Sequence, residues 1–205
     1  MSPRSAREIP IPDDDRIGGG VFVAVVGPSG AGKDTVINYG RAALADDDRF
    51  VFARRVITRV ADAGSEDHDT MDEAAFADAE ARGAFALSWG AHGLHYGLPI
   101  ALDAAIAERK VVVANVSRQI LGALENRYRN FALVVISAHP DVIAKRLASR
   151  GRETAEAIEA RMSRQASLDV PRHDAIQIEN SGPPEQAGAR FLTVLRDAAD
   201  VARLG

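Results

Sequence analysis

The sequence predicts an α/β fold built on a mainly parallel sheet. Continuous apolar runs rich in β-branched residues alternate with helical stretches, an order typical of strands that are buried on both faces. The first run, "VFVAVVG" at 21–27, leads through a glycine-rich turn into a helix. The chain shows no internal repeat and no dividing linker. We therefore expect one domain over 21–205, preceded by a flexible leader rich in Pro, Asp and Gly at 1–20.

The first half of the chain predicts two strands and three helices. After the strand at 21–27, a helix is expected from Gly32 to about Ala45, and the apolar run "FVFARRVI" at 50–57 predicts the second strand. "TMDE" at 70–73 is a capping box that opens a helix to about Arg82, with Gly83 as its stop. Pro99 precedes a helix at 100–109.

The second half continues the alternation. Strands are predicted at 110–116, 131–137 and 175–180. Helices are expected at 117–128, from Pro140 to an interruption at Gly151, from Thr154 to about Asp169, and at 184–204.

Composition narrows the function classes. A net charge of −4 gives no support to a nucleic-acid binder. Without cysteine, the chain has no disulfides, zinc–thiolate sites or thiol nucleophiles. No apolar stretch approaches the roughly 20 residues of a membrane span, and the N-terminus lacks a signal-peptide core. We expect a cytoplasmic protein with no membrane partner; the sequence leaves a homodimer open.

The strongest motif is a phosphate-binding loop. "GPSGAGK" follows the pattern G-x-x-x-x-G-K, and the strand and helix that this pattern requires flank it. Its glycines let backbone N–H groups approach phosphate oxygens, and the lysine can reach the β and γ phosphates. The alternative is a tight turn that contains Gly-Lys by chance. The predicted ATP-binding residues are Gly27, Pro28, Ser29, Gly30, Ala31, Gly32 and Lys33.

The eighth position of the motif departs from the pattern. Asp34 stands where a magnesium-binding Ser or Thr is expected, and the strand at 110–116 offers Asn115 where an acidic residue is usual. We expect Asp34 to bind Mg²⁺ directly or through water, with Thr35 as a second candidate one residue late. The alternative role for Asp34 is electrostatic stabilisation of the helix N-terminus.

An arginine-rich segment at about 146–165 suits a lid over ATP. Arg146 and Arg150 share one helix face, and Gly151 permits a bend. We predict that Arg150, Arg152 and Arg161 reach the transferring phosphoryl group. The alternative is a solvated helix pair whose arginines are paired with neighbouring glutamates.

Motifs in a fixed order resemble the guanylate kinase superfamily over about 21–182. These motifs are "GPSGAGKD", "VITR" at 56–59, "AGSE" at 63–66, "FALSWGAHGLHYGLP" at 85–99 and "RLASRGR" at 146–152. Within the superfamily they are most similar to the ribose 1,5-bisphosphate phosphokinase branch. The resemblance implies a P-loop NTPase of the nucleoside-monophosphate-kinase-like type: a three-layer sandwich with a parallel sheet, an acceptor-binding insertion at about 55–100 and a helical lid.

The departures from guanylate kinases concern the base-reading half of the acceptor site. Guanylate kinases carry a Glu-Trp step whose glutamate reads guanine, and this chain has Ser88-Trp89. A serine leaves the base edge unpaired, which penalises a nucleotide acceptor. The phosphate-gripping half is partly kept. In the resemblance, Arg59 and Tyr96 match phosphate ligands of guanylate kinases, and His68 falls near the place of another. The predicted substrate contacts are Arg55, Arg59, His68, Ser88, Tyr96, Asn115, Ser117 and Arg118. The alternative for Arg55 and Arg59 is a surface position at a strand end. Asn180 resembles the position that approaches adenine in this superfamily.

The implied reaction is transfer of the ATP γ-phosphoryl group to the 1-phosphate of ribose 1,5-bisphosphate. The product would be 5-phosphoribosyl 1-diphosphate (PRPP), in a step linked to phosphonate breakdown. Two alternatives stay open. One is a guanylate-type nucleoside-monophosphate kinase, against which the missing glutamate argues. The other is an inactive guanylate-kinase-like interaction module, which would have no use for the loop glycines and Lys33.

Overall fold

The computed structural model describes residues 15–58, 68–91, 93–149 and 174–204. The strands in these ranges are β1 (Val21–Val26), β2 (Phe50–Phe52), β3 (Arg55–Ile57), β4 (His68–Thr70), β5 (Phe85–Ala91), β6 (Leu94–Pro99), β7 (Val111–Asn115), β8 (Phe131–Ser137) and β9 (Ile176–Glu179). The helices are α1 (Lys33–Ala43), α2 (Glu73–Ala81), α3 (Ala101–Ala107), α4 (Leu121–Arg127), α5 (Pro140–Ser149) and α6 (Pro184–Leu204), with a short 3₁₀ helix at Arg118–Ile120. None of these helices is both long and apolar enough to cross a bilayer.

The main sheet is parallel and has the order β2-β7-β1-β8-β9. Strand β1 lies at its centre, and successive side chains of that strand point alternately into two separate cores. Val21, Val23 and Val25 pack on the face covered by α1 and α6. Phe22 and Ala24 pack on the face covered by α3 and α4. Helix–sheet–helix layering of this kind confirms the predicted α/β sandwich.

A second, smaller sheet with the order β4-β3-β6-β5 lies within the predicted acceptor region. Strands β5 and β6 form an antiparallel hairpin, in which Trp89 pairs with Tyr96. The sequence did not predict the strands at 68–70 and 85–99, because glycines and histidines interrupt their apolar alternation. Trp89 and Leu98 join the core beneath the main sheet, so this small sheet is packed against the rest of the domain.

The single strand predicted at 50–57 is wrong. Strand β2 pairs with β7 in the main sheet, whereas β3 pairs with β4 and β6 in the small one. Ala53 still donates its N–H to Val113 O at 2.8 Å, and the chain then leaves the main sheet. The arginine pair at 54–55 marks this change, since a buried parallel strand has no place for two adjacent cations.

The capping residue predicted for α2 is also wrong. Thr70 lies in β4, and the helix is capped by Asp72, whose carboxylate accepts a hydrogen bond from Ala75 N at 2.7 Å. Aspartate is as good an N-cap as threonine, so the two-residue shift costs little. The predicted stop at Gly83 agrees with its positive φ of 71°.

A polar network joins α3 to α4 below the main sheet. Asp103 accepts hydrogen bonds from Arg127 Nε at 2.9 Å and from the Tyr128 hydroxyl at 2.8 Å, and Arg127 Nη2 contacts its second oxygen. Burial raises the pKa of the Tyr128 phenol, so it stays a neutral donor. The hydrogen bond to Asp103 raises the pKa of Arg127.

Asp103→Ala is expected to lower the free energy of unfolding by about 1–3 kcal/mol, because the fully buried Tyr128 hydroxyl then loses its partner. Chemical denaturation measures this change. Asp78→Ala is a suitable control, since Asp78 is exposed on α2. Equal stability losses in the two variants would contradict a specific role for the Asp103 network.

Candidate active site

The candidate site lies at the carboxyl ends of the parallel strands. The phosphate loop follows β1, Asn115 ends β7 and Asn180 follows β9. The register of β1 with β7 pairs Val25 with Asn115, and β8 pairs with both β1 and β9. Parallel pairing therefore brings these residues to one edge of the sheet, which is where ligands bind in open α/β folds.

The loop has the backbone that its glycines were predicted to permit. Gly30 and Gly32 have φ values of 85° and 86°, and Gly32 is the N-cap of α1. Gly27 has a φ of 152°, and a Cβ there would lie 2.1 Å from Ile136 O. The loop thus passes too close to β8 for a side chain at its first position.

Lys33 lies over the loop that precedes it. Its Nζ donates hydrogen bonds to Gly27 O at 3.0 Å and to Pro28 O at 3.1 Å. The ammonium group is therefore held above the turn by contacts that are exchangeable with phosphate oxygens. This arrangement places one positive charge beside the N-terminus of α1, whose dipole also favours an anion.

Asn180 and Arg146 support the loop from beneath. Ala31 O accepts hydrogen bonds from Asn180 Nδ2 at 2.8 Å and from Arg146 Nη1 at 3.2 Å. Arg146 Nη2 also donates to Asn180 O at 2.9 Å. Asn180 is only 2% exposed, so its observed role is to hold the loop; the predicted approach to adenine stays a prediction. A Cβ on Gly32 would lie 2.4 Å from Asn180 Nδ2, which shows how closely the two meet.

Asp34 and Asn115 contact each other across the site. Asn115 Nδ2 donates a hydrogen bond to Asp34 Oδ1 at 3.1 Å, although 81 residues separate them in the sequence. Among the described residues no cluster of three or more His, Asp or Glu side chains could hold a metal by itself. Thr35, the second candidate for the metal, is exposed in the first turn of α1.

These residues fit a magnesium–nucleotide complex. The loop offers glycine-flanked amides and a lysine ammonium for phosphates, and the Asp34 hydrogen bond to Asn115 engages only one carboxylate oxygen. Mg²⁺ in kinases is bound by one or two protein oxygens together with substrate phosphates and water, so a single carboxylate suffices. Gly27–Lys33 would hold the phosphates, and Asp34 would face the ion.

The small sheet brings several predicted acceptor residues onto one face. Ile57 pairs with Tyr96, and Arg55 lies two residues earlier on the same strand and hence on the same face. The Arg55 guanidinium lies 5.7 Å from the centre of the Tyr96 ring. His68 is the register partner of Arg55 on β4. Tyr96 also stacks on Trp89 at 5.4 Å, so its ring is fixed from below.

Ser88 lies on the opposite face of that sheet from Tyr96, and its contact with the substrate stays a prediction. Trp89 and Tyr96 face the core together, so the adjacent Ser88 points the other way. Its hydroxyl donates a hydrogen bond to Glu80 on α2. Successive side chains of a strand point to opposite faces, and this separates Ser88 from Trp89. The sequence did not predict the separation, because it did not assign 85–99 to strands.

Ser117 and Arg118 follow β7 at the edge of the site. The Ser117 hydroxyl caps the 3₁₀ helix through Gln119 N at 3.4 Å. Gln119 Nε2 donates to Gly90 O at 2.7 Å and so ties this turn to β5. Arg118 is partly exposed beside it. Substrate contacts by Ser117 and Arg118 stay predictions.

Part of the predicted site falls outside the described residues. These positions are Arg59, Arg150, Arg152, Arg161 and most of the predicted lid. Arg146 is the described member of the arginine series, and its contact with the loop carbonyl of Ala31 was not predicted. The i,i+4 spacing predicted that Arg146 and Arg150 share a helix face. It did not indicate which part of the protein that face packs against.

Comparison with known proteins gives two kinds of relative. A protein of Brucella melitensis biotype 2 named ribose 1,5-bisphosphate phosphokinase PhnN is 52% identical over 180 residues, which cover 88% of this chain and 94% of that protein. One of the same name from Chelativorans sp. is 51% identical over 199 residues, covering 96% and 92%. No protein-family model matches the chain.

Guanylate kinase from Anaplasma phagocytophilum has a solved structure that superposes with a TM-score of 0.64, at 19% identity, over 87% of this chain and 85% of that one. This similarity concerns the fold alone, and it agrees with the predicted α/β kinase fold. The two relatives at above 50% identity cover 88% and 96% of this sequence. The chain belongs to the ribose 1,5-bisphosphate phosphokinase family.

Proposed function

We propose that this kinase transfers the γ-phosphoryl group of ATP to the 1-phosphate of ribose 1,5-bisphosphate and forms PRPP. The observation that carries the proposal is the pairing of a complete phosphate loop with a small sheet that keeps Arg55 beside Tyr96 and has Ser88 at the step where guanylate kinases carry a glutamate. Such a sheet has cationic and hydroxyl groups for a phosphate and offers no carboxylate at the step that reads guanine. The relatives' name supports the same acceptor.

The mechanism requires positioning and charge neutralisation. An acceptor phosphate oxygen is already ionised near neutral pH, so no general base has to remove a proton. Lys33 and the loop amides hold the donor phosphates and follow the charge as the γ-phosphoryl group moves. When bound, Mg²⁺ neutralises charge on the β and γ oxygens. Arg55, His68 and Tyr96 orient the acceptor, and Arg59 joins them from outside the described residues.

The predicted lid completes the proposal. Arg150, Arg152 and Arg161 would close over the transferring group, following Arg146, which already contacts the loop. The donor would be ATP, and the enzyme would act in the cytoplasm, where ATP is supplied. The domain would extend over 21–205, with the acceptor region at 55–100 and the lid at 146–165.

Product analysis tests the proposal. ATP labelled at its γ position is incubated with the enzyme, Mg²⁺ and ribose 1,5-bisphosphate. The label is expected in the β position of a 1-diphosphate on ribose 5-phosphate, detected by ³¹P NMR. Label in inorganic phosphate alone would overturn the assignment, because it would mean hydrolysis without an acceptor.

Arg55→Ala is expected to raise the KM for ribose 1,5-bisphosphate by about 10- to 100-fold, since a charge-assisted contact with phosphate contributes about 1.5–3 kcal/mol. The KM for ATP should change less than threefold, because Arg55 lies in the small sheet, whereas the loop follows β1 of the main sheet. Steady-state kinetics with each substrate varied in turn measures both values.

Arg54→Ala supplies the matched control. Arg54 is the adjacent arginine, is 52% exposed and forms an ion pair with Asp69 at 2.8 Å. Its loss should leave both KM values unchanged. Equal effects of the two substitutions would mean that general surface charge attracts the acceptor, and Arg55 would then have no specific role.

A further inference from the structure

Two residues of the site differ from those that are usual in proteins with a phosphate loop. One position carries a carboxylate where a hydroxyl is usual, and the other carries an amide where a carboxylate is usual. The position after the loop lysine usually carries a hydroxyl, and here it carries the Asp34 carboxylate. The end of a strand beside the loop strand usually carries a carboxylate, and here β7 ends in the Asn115 amide. The number of acidic groups expected around the ion is unchanged; only their places differ.

The structure brings these two positions into direct contact. Strands β1 and β7 are neighbours, so the end of β7 lies beside the start of the loop. There Asn115 Nδ2 donates to Asp34 Oδ1 at 3.1 Å. Asn115 is only 9% exposed, so its amide is fixed by its surroundings. An amide in this place can orient a carboxylate, whereas a second carboxylate would repel it.

We propose that Asp34 and Asn115 are an exchanged pair, in which Asp34 supplies the carboxylate toward the nucleotide-bound Mg²⁺ and Asn115 is the positioning residue that fixes one of its oxygens. The second oxygen of Asp34 then faces the ion or a water molecule bound to it. This pairing rests on the proposed function in one respect only: a metal–nucleotide complex must bind the loop. The proposed roles of Asp34 and Asn115 do not depend on the identity of the acceptor.

The exchange makes a prediction that a helix-terminal role for Asp34 does not. Asp34→Ser removes the carboxylate, and we expect the affinity for Mn²⁺ in the presence of saturating ADP to fall by about 10-fold or more. Adding Asn115→Asp to that variant restores the usual arrangement, with a hydroxyl after the lysine and a carboxylate at the strand end. The double variant should recover affinity to within about threefold of the parent protein.

The measurement uses the full chain without acceptor or turnover. Free and bound Mn²⁺ are distinguished by electron paramagnetic resonance, with Mn²⁺ alone and with Mn²⁺ plus ADP. Asn115→Asp by itself should lower the thermal stability of the metal-free protein, because it places two carboxylates in contact, and Mn²⁺ plus ADP should reverse that loss. Asp46→Ser, at an exposed aspartate beyond α1, serves as the matched control and should change neither property.

Two results would contradict the proposed exchange of roles between Asp34 and Asn115. An Asp34→Ser variant with unchanged Mn²⁺ affinity would leave only the helix N-terminus as the reason for Asp34. A double variant that binds Mn²⁺ no better than Asp34→Ser would mean that the strand end does not face the ion. Far-UV circular dichroism of each variant confirms that loss of affinity is not loss of folding. Failure of the ribose 1,5-bisphosphate assay would leave these metal measurements unaffected.

Discussion

Lys33→Met is expected to lower kcat by about 10²–10³-fold, the loss that follows removal of one preorganised donor from a transition state. The Lys33 ammonium lies within 3.0 Å of Gly27 O and 3.1 Å of Pro28 O, so the loop itself places the charge beside the phosphates. Methionine keeps the length and apolar stem of the side chain and removes the charge. The KM for the acceptor should change little, because the acceptor face lies on the other sheet.

A coupled ADP-release assay under saturating substrates measures kcat. Lys145→Met is the control, since Lys145 is exposed on α5 and its change removes the same charge elsewhere. The control should keep at least half of the parent activity. If Lys33→Met retained more than a tenth of kcat, the ammonium group would not stabilise the transferring phosphoryl group, and the proposed mechanism would be wrong.

Gly27→Ala is expected to lower the free energy of unfolding by about 1–3 kcal/mol and to weaken nucleotide binding at least tenfold. The added Cβ would lie 2.1 Å from Ile136 O, a backbone atom of a central strand that cannot move aside cheaply. The φ of 152° adds strain for any residue with a side chain. The loop must therefore shift away from β8, and its amides shift with it.

Urea denaturation and ADP titration measure the two effects of Gly27→Ala. Gly122→Ala is the matched control, because a Cβ at Gly122 in α4 would meet nothing within 4 Å. That variant should be more stable than the parent by about 0.5–1 kcal/mol, as expected for alanine in a helix. A Gly27→Ala protein with parent stability and ADP affinity would show that the loop has room to adjust.

The main sheet could be predicted from the sequence because its strands are continuous apolar runs. The runs ending at Val26, Asn115 and Ser137 are buried on both faces, and such runs need no knowledge of their partners to be recognised. The phosphate loop could be predicted for a similar reason, since its glycines, lysine and flanking elements are contiguous. Both predictions depend on local sequence alone.

The small sheet could not be predicted, since its stability depends on contacts between distant residues. Tyr96 is held by stacking on Trp89, and β3 is assigned to the sheet by its pairing with β6 about 40 residues later. A strand of three residues such as β4 carries too little pattern to be recognised. The face of the sheet on which Ser88 lies is determined by the register of the β5–β6 hairpin, and the sequence did not indicate that register.

The support of the loop was unpredictable for the same reason. Ala31 O is bonded by Arg146 and Asn180, which lie 115 and 149 residues away along the chain. The sequence indicated that these residues belong near the nucleotide without indicating that they contact the backbone of the loop. The contact of Asn115 with Asp34 is of the same kind: two departures from a motif were visible, and their juxtaposition was not.

The proposed acceptor is a sugar phosphate and not a nucleotide, and the ratio of kcat/KM values for different acceptors is the sharpest test of this assignment. ADP release is measured with ribose 1,5-bisphosphate, GMP and ribose 5-phosphate under identical ATP and Mg²⁺ concentrations. The kcat/KM for ribose 1,5-bisphosphate is expected to exceed that for GMP by about 10²-fold or more, because Ser88 stands where guanylate kinases carry the glutamate that reads guanine. Ribose 5-phosphate, which lacks the 1-phosphate, should give no turnover. A higher kcat/KM for GMP than for ribose 1,5-bisphosphate would mean that the acceptor is a nucleotide.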